Sequence, residues 1–320
     1  MKKMSFIIAF ASALLAVAPA SAQEWPSQPI RMLSGSAGGG GSDVMGRIFG
    51  DYFQKKTGQP WVMDNRPGAG TTVAAGLAAE AAPDGYTFFL TQVGAHGIVP
   101  NVYESIPYDP LGDFDPVARL VVVPNVVFAR ANDDRFSTLQ DLIELGKKEG
   151  QDLSYGVSGV ATTTNLTAQM LRLQSGMNPV MVAYKSSADT VLGLLRGDAD
   201  FAVENIQMVA GRTSELKPLA VTTEERSPLL PDTPTLAESG IPVALESWFG
   251  VVAPEGTPPE ILEKMAAIIE EATKDPATQE RLATLGATPG FKGPADFTSY
   301  IENELVKWGE IVTEAQIPKQ

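Results

Sequence analysis

The sequence predicts an α/β protein of two hinged domains, each a mostly parallel sheet flanked by helices. Short apolar runs alternate with helix-length segments from Ile30 onward, as in successive strand–helix units. A small, polar loop stands between such a run and a helix twice, at residues 34–43 and 158–164. Proline-bearing passages at 100–116 and 223–240 mark two crossings of the chain, which favour a hinge over two beads on a string.

The chain opens with Lys2 and Lys3, an apolar run over residues 6–17, and Ala20, Ser21 and Ala22. This is the three-part form of a secretory signal cleaved after Ala22. The run is too short for a comfortable membrane span, so an exported, periplasmic protein is expected. Residues 30–33 then read as a strand, and Met45, Ile48, Phe49, Tyr52 and Phe53 recur at helical spacing. Between them Gly38, Gly39, Gly40 and Gly41 carry no Cβ, so a ligand or another backbone can come close to their amides. Ser42 or Asp43 reads as the helix N-cap. The stretch is either a flexible connection or a cradle for an acidic group held by free amides and the helix dipole.

Residues 61–63 form the next expected strand, followed by a turn over 65–70, a small-residue helix over 71–82 and a strand over 86–91. Loops at the carboxyl ends of such parallel strands are where ligands bind. Residues 117–123 and 126–129 read as apolar runs separated by Pro124, at the crossing into the second domain. Ser137 and Gln140 resemble a capping box for a helix that ends near Gly150. Strands are expected over 153–157, 180–183, 199–203 and 216–222, with helices over 165–174 and 189–195. Thr257 and Glu260 read as a capping box with Pro258 at the first helical position, ahead of the stripe Ile261, Leu262, Met265, Ile268 and Ile269. Phe297, Ile301, Leu305 and Trp308 repeat the pattern, and both helices read as scaffold.

Composition excludes several chemistries. There is no cysteine, hence no disulfide, thiolate metal site or cysteine nucleophile. The single histidine, His96, makes zinc sites built on several imidazoles hard to assemble and reads as structural. A formal charge of -14 argues against nucleic acid as a partner. Nucleotide-binding glycine motifs, the serine elbow and H-E-x-x-H are absent, and the pairs Asp198/Asp200 and Glu224/Glu225 read as solvated faces. No catalytic residue, cofactor or metal is expected. What remains is uncharged: Ser34 to Ser42, including Ser36 and the four glycines, with Thr71, Gln92, Ser158, Thr162, Thr163 and Ser186. Such groups orient a ligand without activating it, as in a cleft that closes on a hinge.

Several strings resemble the extracytoplasmic solute receptors of tripartite tricarboxylate transporters, the Bug or TctC-like proteins. They are W-P-S-Q-P-I-R at 25–31, the glycine loop ending in Asp43 with Arg47 beyond, N-R-P-G-A-G at 65–70 and P-D-G-Y-T at 83–87. A-Y-K at 183–185, L-P-D-T-P-T-L-A-E-S-G at 230–240 and W-F-G-V-V-A-P-E-G-T-P at 248–258 extend the likeness over essentially the whole mature chain. The resemblance implies a type II periplasmic binding protein fold with two crossing strands. Domain 1 would comprise 23–123 and 223–320, and domain 2 residues 124–222. It also implies a carboxylate ligand between the domains, membrane subunits of a transporter as partners, and a monomer. A receptor presenting the same carboxylate to a membrane sensor fits the residues equally. Carried onto this chain, the contacts fall on Gly38 to Ser42, near Thr71 and Gln92, and on Ser158, Thr162 and Thr163.

Three departures stand out. Ser34, Ser36 and extra glycines replace the usual proline and aromatic or small apolar residue of the first loop. Ser186 replaces the glycine after Tyr-Lys. Glu204 stands where relatives that hold an amino group often have aspartate, and it reads either as a partner for a ligand ammonium or as a cap on a strand end.

Overall fold

The computed structural model describes residues 25–148, 153–159, 162–242, 244–317 and 319. The expected signal segment with its cleavage point at Ala22, and the helix end expected near Gly150, lie outside them. The chain runs β1 (Ile30–Ser34), α1 (Gly41–Thr57), β2 (Trp61–Asn65), a single turn at Ala69–Thr71, α2 (Thr72–Ala79) and β3 (Thr87–Gln92). β1 lies between β2 and β3 and is parallel to both, as strands joined through helices must be. α1 buries Met45, Ile48, Phe49 and Phe53 and ends at Gly58, whose φ of 76° lets its N–H return to the Gln54 carbonyl. α2 is shorter than its apolar run, because Thr71 enters it with φ 84° and Glu80 already leaves it.

After β3 a wide turn at Gly94–Ile98 leads into α3 (Val99–Val102) and then into β4 (Phe114–Arg130). The next elements are α4 (Leu139–Gly146), β5 (Ser154–Val157), α5 (Thr163–Ser175), β6 (Val180–Ala183), α6 (Ser187–Arg196), β7 (Phe201–Asn205) and β8 (Leu216–Val221). The chain closes with β9 (Glu246–Pro254), α7 (Pro259–Lys274), α8 (Pro276–Thr284), β10 (Thr288–Lys292) and α9 (Pro294–Glu314). Strand order is β2-β1-β3-β9-β4-β7-β5-β6, with β8 and β10 also on β4.

The two apolar runs expected on either side of Pro124 are one strand of 17 residues. From Phe114 to Pro124 β4 pairs antiparallel with β9, and from Asn125 to Arg130 it pairs with β7 and β8. Pro124, which has no N–H to give, sits where one ladder hands over to the other and so interrupts neither. The first group of strands packs Ile30, Phe88 and Val251 in one cluster with Phe53 of α1 and Met265 and Ile269 of α7, and Phe89 and Trp248 in another with Phe297 and Trp308 of α9. The second group packs Tyr155, Phe201 and Leu219 against Leu142 and Leu171. Trp248 and Trp308 are buried with their indole N–H groups satisfied, each donating at 2.8 Å to Glu304 Oε2.

Two caps differ from the sequence expectation. The capping box of α4 is Thr138 with Asp141, one residue beyond Ser137 and Gln140. At α7 no side chain caps: Pro258 is the N-cap, and the Thr257 hydroxyl donates instead to the Pro254 carbonyl at 2.7 Å.

His96 is wholly buried among Phe89, Tyr108 and Phe114, with Nδ1 2.6 Å from the Thr91 hydroxyl. Burial pushes its imidazole down to about 3, so it is neutral and structural, as the lone histidine was expected to be. A depressed folded value means its contribution is complete above the unfolded value and is lost as pH falls through the window from about 6.5 to about 3. Urea unfolding should therefore lose about 1.4 kcal/mol per pH unit from this group below about pH 6.5, a slope that His96→Gln removes.

Candidate ligand-binding site

The loops after β3 and β5, the end of β7 and the start of β9 converge on a cavity of about 110 Å³. Gln92, Val93 and Gly94 line one side, Ser158 and Thr162 to Thr164 the other, and Asn205, Ser247, Trp248 and Phe249 close the rest. Gln92, Ser158, Thr162 and Thr163, separately picked from the sequence, thus face one space. Larger hollows of about 860 and 620 Å³ lie along α9 and behind the crossing strands. Neither gathers the carboxyl ends of parallel strands, where such sheets bind ligands.

α5 points its amino end at this cavity. Thr162 is the N-cap, its Oγ1 accepting from Asn165 N at 3.2 Å, and the first-turn amides beyond it have no acceptor within the helix. The floor is a buried polar cluster: Asn205 Nδ2 donates to Asn125 Oδ1 at 2.7 Å and to Ser247 Oγ at 3.1 Å. Thr163 and Ser247 hydroxyls meet at 2.6 Å, and Asn125 Nδ2 donates to Thr167 Oγ1 at 3.2 Å. Among the described residues no lysine, arginine or carboxylate lines the cavity. An anion there would be held by hydroxyls, amides and the dipole of α5.

The opening loop reaches the cavity through one hydrogen-bonded chain. Ser36 and Ser42 hydroxyls are 2.7 Å apart, and Ser42 donates to Gln92 Oε1 at 3.4 Å. α1 starts at Gly41 with Gly40 as N-cap, so neither Ser42 nor Asp43 is the cap. Asp43 reaches back instead: its Oδ2 accepts from Gly39 N at 2.9 Å, and Arg47 binds both carboxylate oxygens at 3.0 Å. Burial by itself would raise the Asp43 carboxyl, but Arg47 and the Gly39 N–H outweigh it and hold the group below the usual carboxylate range. Gly40 N donates to Ala37 O, whereas Gly38 and Gly39 face open space where a Cβ would stand.

Of the expected contacts, Ser36, Gly38, Gly39, Gly40, Gly41, Ser42, Thr71, Ser186 and Glu204 do not line the cavity. Thr71 braces the loop, since a Cβ on Gly35 would stand 2.5 Å from its own. The Ser186 hydroxyl is engaged as the cap of α6, accepting from Asp189 N at 3.2 Å and donating to Asp189 Oδ2 at 2.7 Å. Glu204 is wholly buried beneath the hydroxyls of Ser158, Ser187 and Thr190, with no hydrogen bond of ordinary geometry to either oxygen and no basic partner. It stands within β7 rather than beyond its end, and outside the cavity lining. Asn205, Ser247, Trp248 and Phe249 were not singled out in the sequence. Alternation along β7 would have exchanged Glu204 for Asn205, because successive side chains point to opposite faces.

Burial raises the Glu204 carboxyl above its ordinary value. An acid so raised contributes most stability below its unfolded value, near 4.3, and loses it as pH rises through the folded value. Glu204→Gln should therefore stabilise the protein at pH 7.5 relative to pH 4.5, read by denaturant midpoints at the two values. Thr162→Val should cost about 1 kcal/mol through loss of the α5 cap. Thr162→Ser, which keeps the cap, should stay near the parent in the same melts.

The model for "Tripartite tricarboxylate transporter family receptor" matches residues 45–317. Protein BugT of Bordetella pertussis is 34% identical over 301 residues, covering 93% of this chain and 92% of its own. Among solved structures, R. palustris Rpa4515 with adipate is 31% identical at a TM-score of 0.86, covering 93% of this chain and 100% of its own. MatC of Rhodopseudomonas palustris with bound malate is 27% identical at 0.80, covering 90% and 100%. These likenesses run nearly end to end and share the two-domain α/β architecture of periplasmic binding proteins. The chain belongs to the tripartite tricarboxylate transporter receptor family, whose members are solute-binding receptors rather than enzymes.

Proposed function

We propose that this protein is a periplasmic receptor that captures a small organic acid by hinge closure and hands it to the membrane subunits of a tripartite transporter, after export and removal of residues 1–22. The observation that carries this reading is the cavity itself. Its polar lining among the described residues is uncharged, and it is drawn from the end of β3 and the loop after it, from the loop after β5 and the amino end of α5, from the end of β7 and from β9. The Thr162, Thr163 and Ser247 hydroxyls pair with other neutral groups and have no base beside them to activate them, so the arrangement suits capture rather than turnover. Adipate and malate in the two structural relatives support a carboxylate as the ligand class.

A division into 23–123 with 223–320, and 124–222, is supported at its first boundary by the handover of partners along β4 at Pro124 and Asn125. A ligand touching Gln92 on one side and Thr163 on the other interacts more strongly with the closed form than with the open one, which is the condition for closure. Thermal denaturation of the mature protein should rise with a bound carboxylate, which at 100 times its dissociation constant adds about 2.7 kcal/mol. A midpoint that moves with a neutral sugar and with no acid would reject the carboxylate reading.

A further inference from the structure

The cavity's size is set on one side by an aromatic ring. Phe249, on β9, is buried opposite Gln92 in the strand register, and its ring lies between the cavity and the first residue of α1. A Cβ at Gly41 would stand 3.2 Å from Phe249 Cζ, closer than ordinary van der Waals contact, so any larger residue there would press on the ring. The adjoining wall is fixed: Trp248 is wholly buried, hydrogen-bonded to Glu304 and packed edge-on against Phe297 and Tyr300. Phe249 is therefore the bulky group whose removal would lengthen the space. At about 110 Å³ the cavity is smaller than the roughly 150 Å³ in which a benzene ring is held.

We propose that Phe249, backed by Gly41, limits the length of the bound acid, restricting this receptor to carboxylates of about four carbons or fewer. The inference rests on the receptor reading above and narrows its ligand class. A longer chain must displace the ring toward α1, where the absent Cβ of Gly41 is the space it occupies. Each methylene that does not fit weakens binding by about tenfold or more.

The test is calorimetric titration of the mature protein with propionate, succinate and adipate. The wild type should bind succinate at least about tenfold more tightly than adipate. Phe249→Ala and the milder Phe249→Leu should shrink that ratio about fivefold or more, while Gly41→Ala, which pushes the ring inward, should widen it. Circular dichroism checks that each variant is folded, and the leucine variant reads the same ratio if the alanine variant is not. A wild-type ratio near one, or a ratio that a folded Phe249 variant leaves unchanged, overturns the length limit and leaves the receptor reading standing. Failure of every acid to bind the wild type overturns both.

Discussion

The amide of Asn125 ties the second group of strands together beneath the cavity. Its backbone N–H donates to the Thr222 hydroxyl at 2.9 Å, and its carbonyl accepts from Thr222 N at 3.0 Å. Its side chain accepts from Asn205 and donates to Thr167, so one buried residue links β4, β7, α5 and the segment leaving β8. A buried amide that lost these partners would be costly, which makes the cluster effectively all-or-none. Ser247 adds β9 to it. The floor of the cavity and the joint between the halves are consequently the same set of side chains.

That identity gives the hinge reading its physical content. Thr163 belongs to the cavity wall and is hydrogen-bonded to Ser247, a residue of the crossing strand. A group that engages the Thr163 hydroxyl must share it with, or take it from, the joint. Rigid elements frame the exchange: Trp248 and Trp308 are pinned to the same Glu304 oxygen, and that carboxylate is ion-paired with Lys307.

Much of this was legible in the sequence because the signals were local. Apolar runs at Ile30 and Tyr86, the small loops, and helix stripes such as Met45, Ile48 and Phe49 depend on neighbours close along the chain, and each fell within a few residues of its place. Thr162, Thr163, Gln92 and Ser158 were found because strand-end polar groups stand out against their surroundings. Phe249 and Asn205 were not, since an aromatic residue in a strand reads as core, and the face on which Asn205 emerges depends on a register set by β4. Pro124 misled for a related reason: a proline reads as a break until its strand is known to change partners there. Glu204 carried a chemical label but no positional one, and its burial comes from α6 packing over β7.

The loop of four glycines brings one more consequence. Left to itself such a segment would be among the most disordered in the chain, and a ligand that had to order it would bind weakly for that reason. Here Asp43 supplies the anion from within, and Arg47 on the next turn of α1 neutralises it. The ordering is therefore done during folding, by a tethered carboxylate that never dissociates. The conformational entropy of this segment is thus spent in folding.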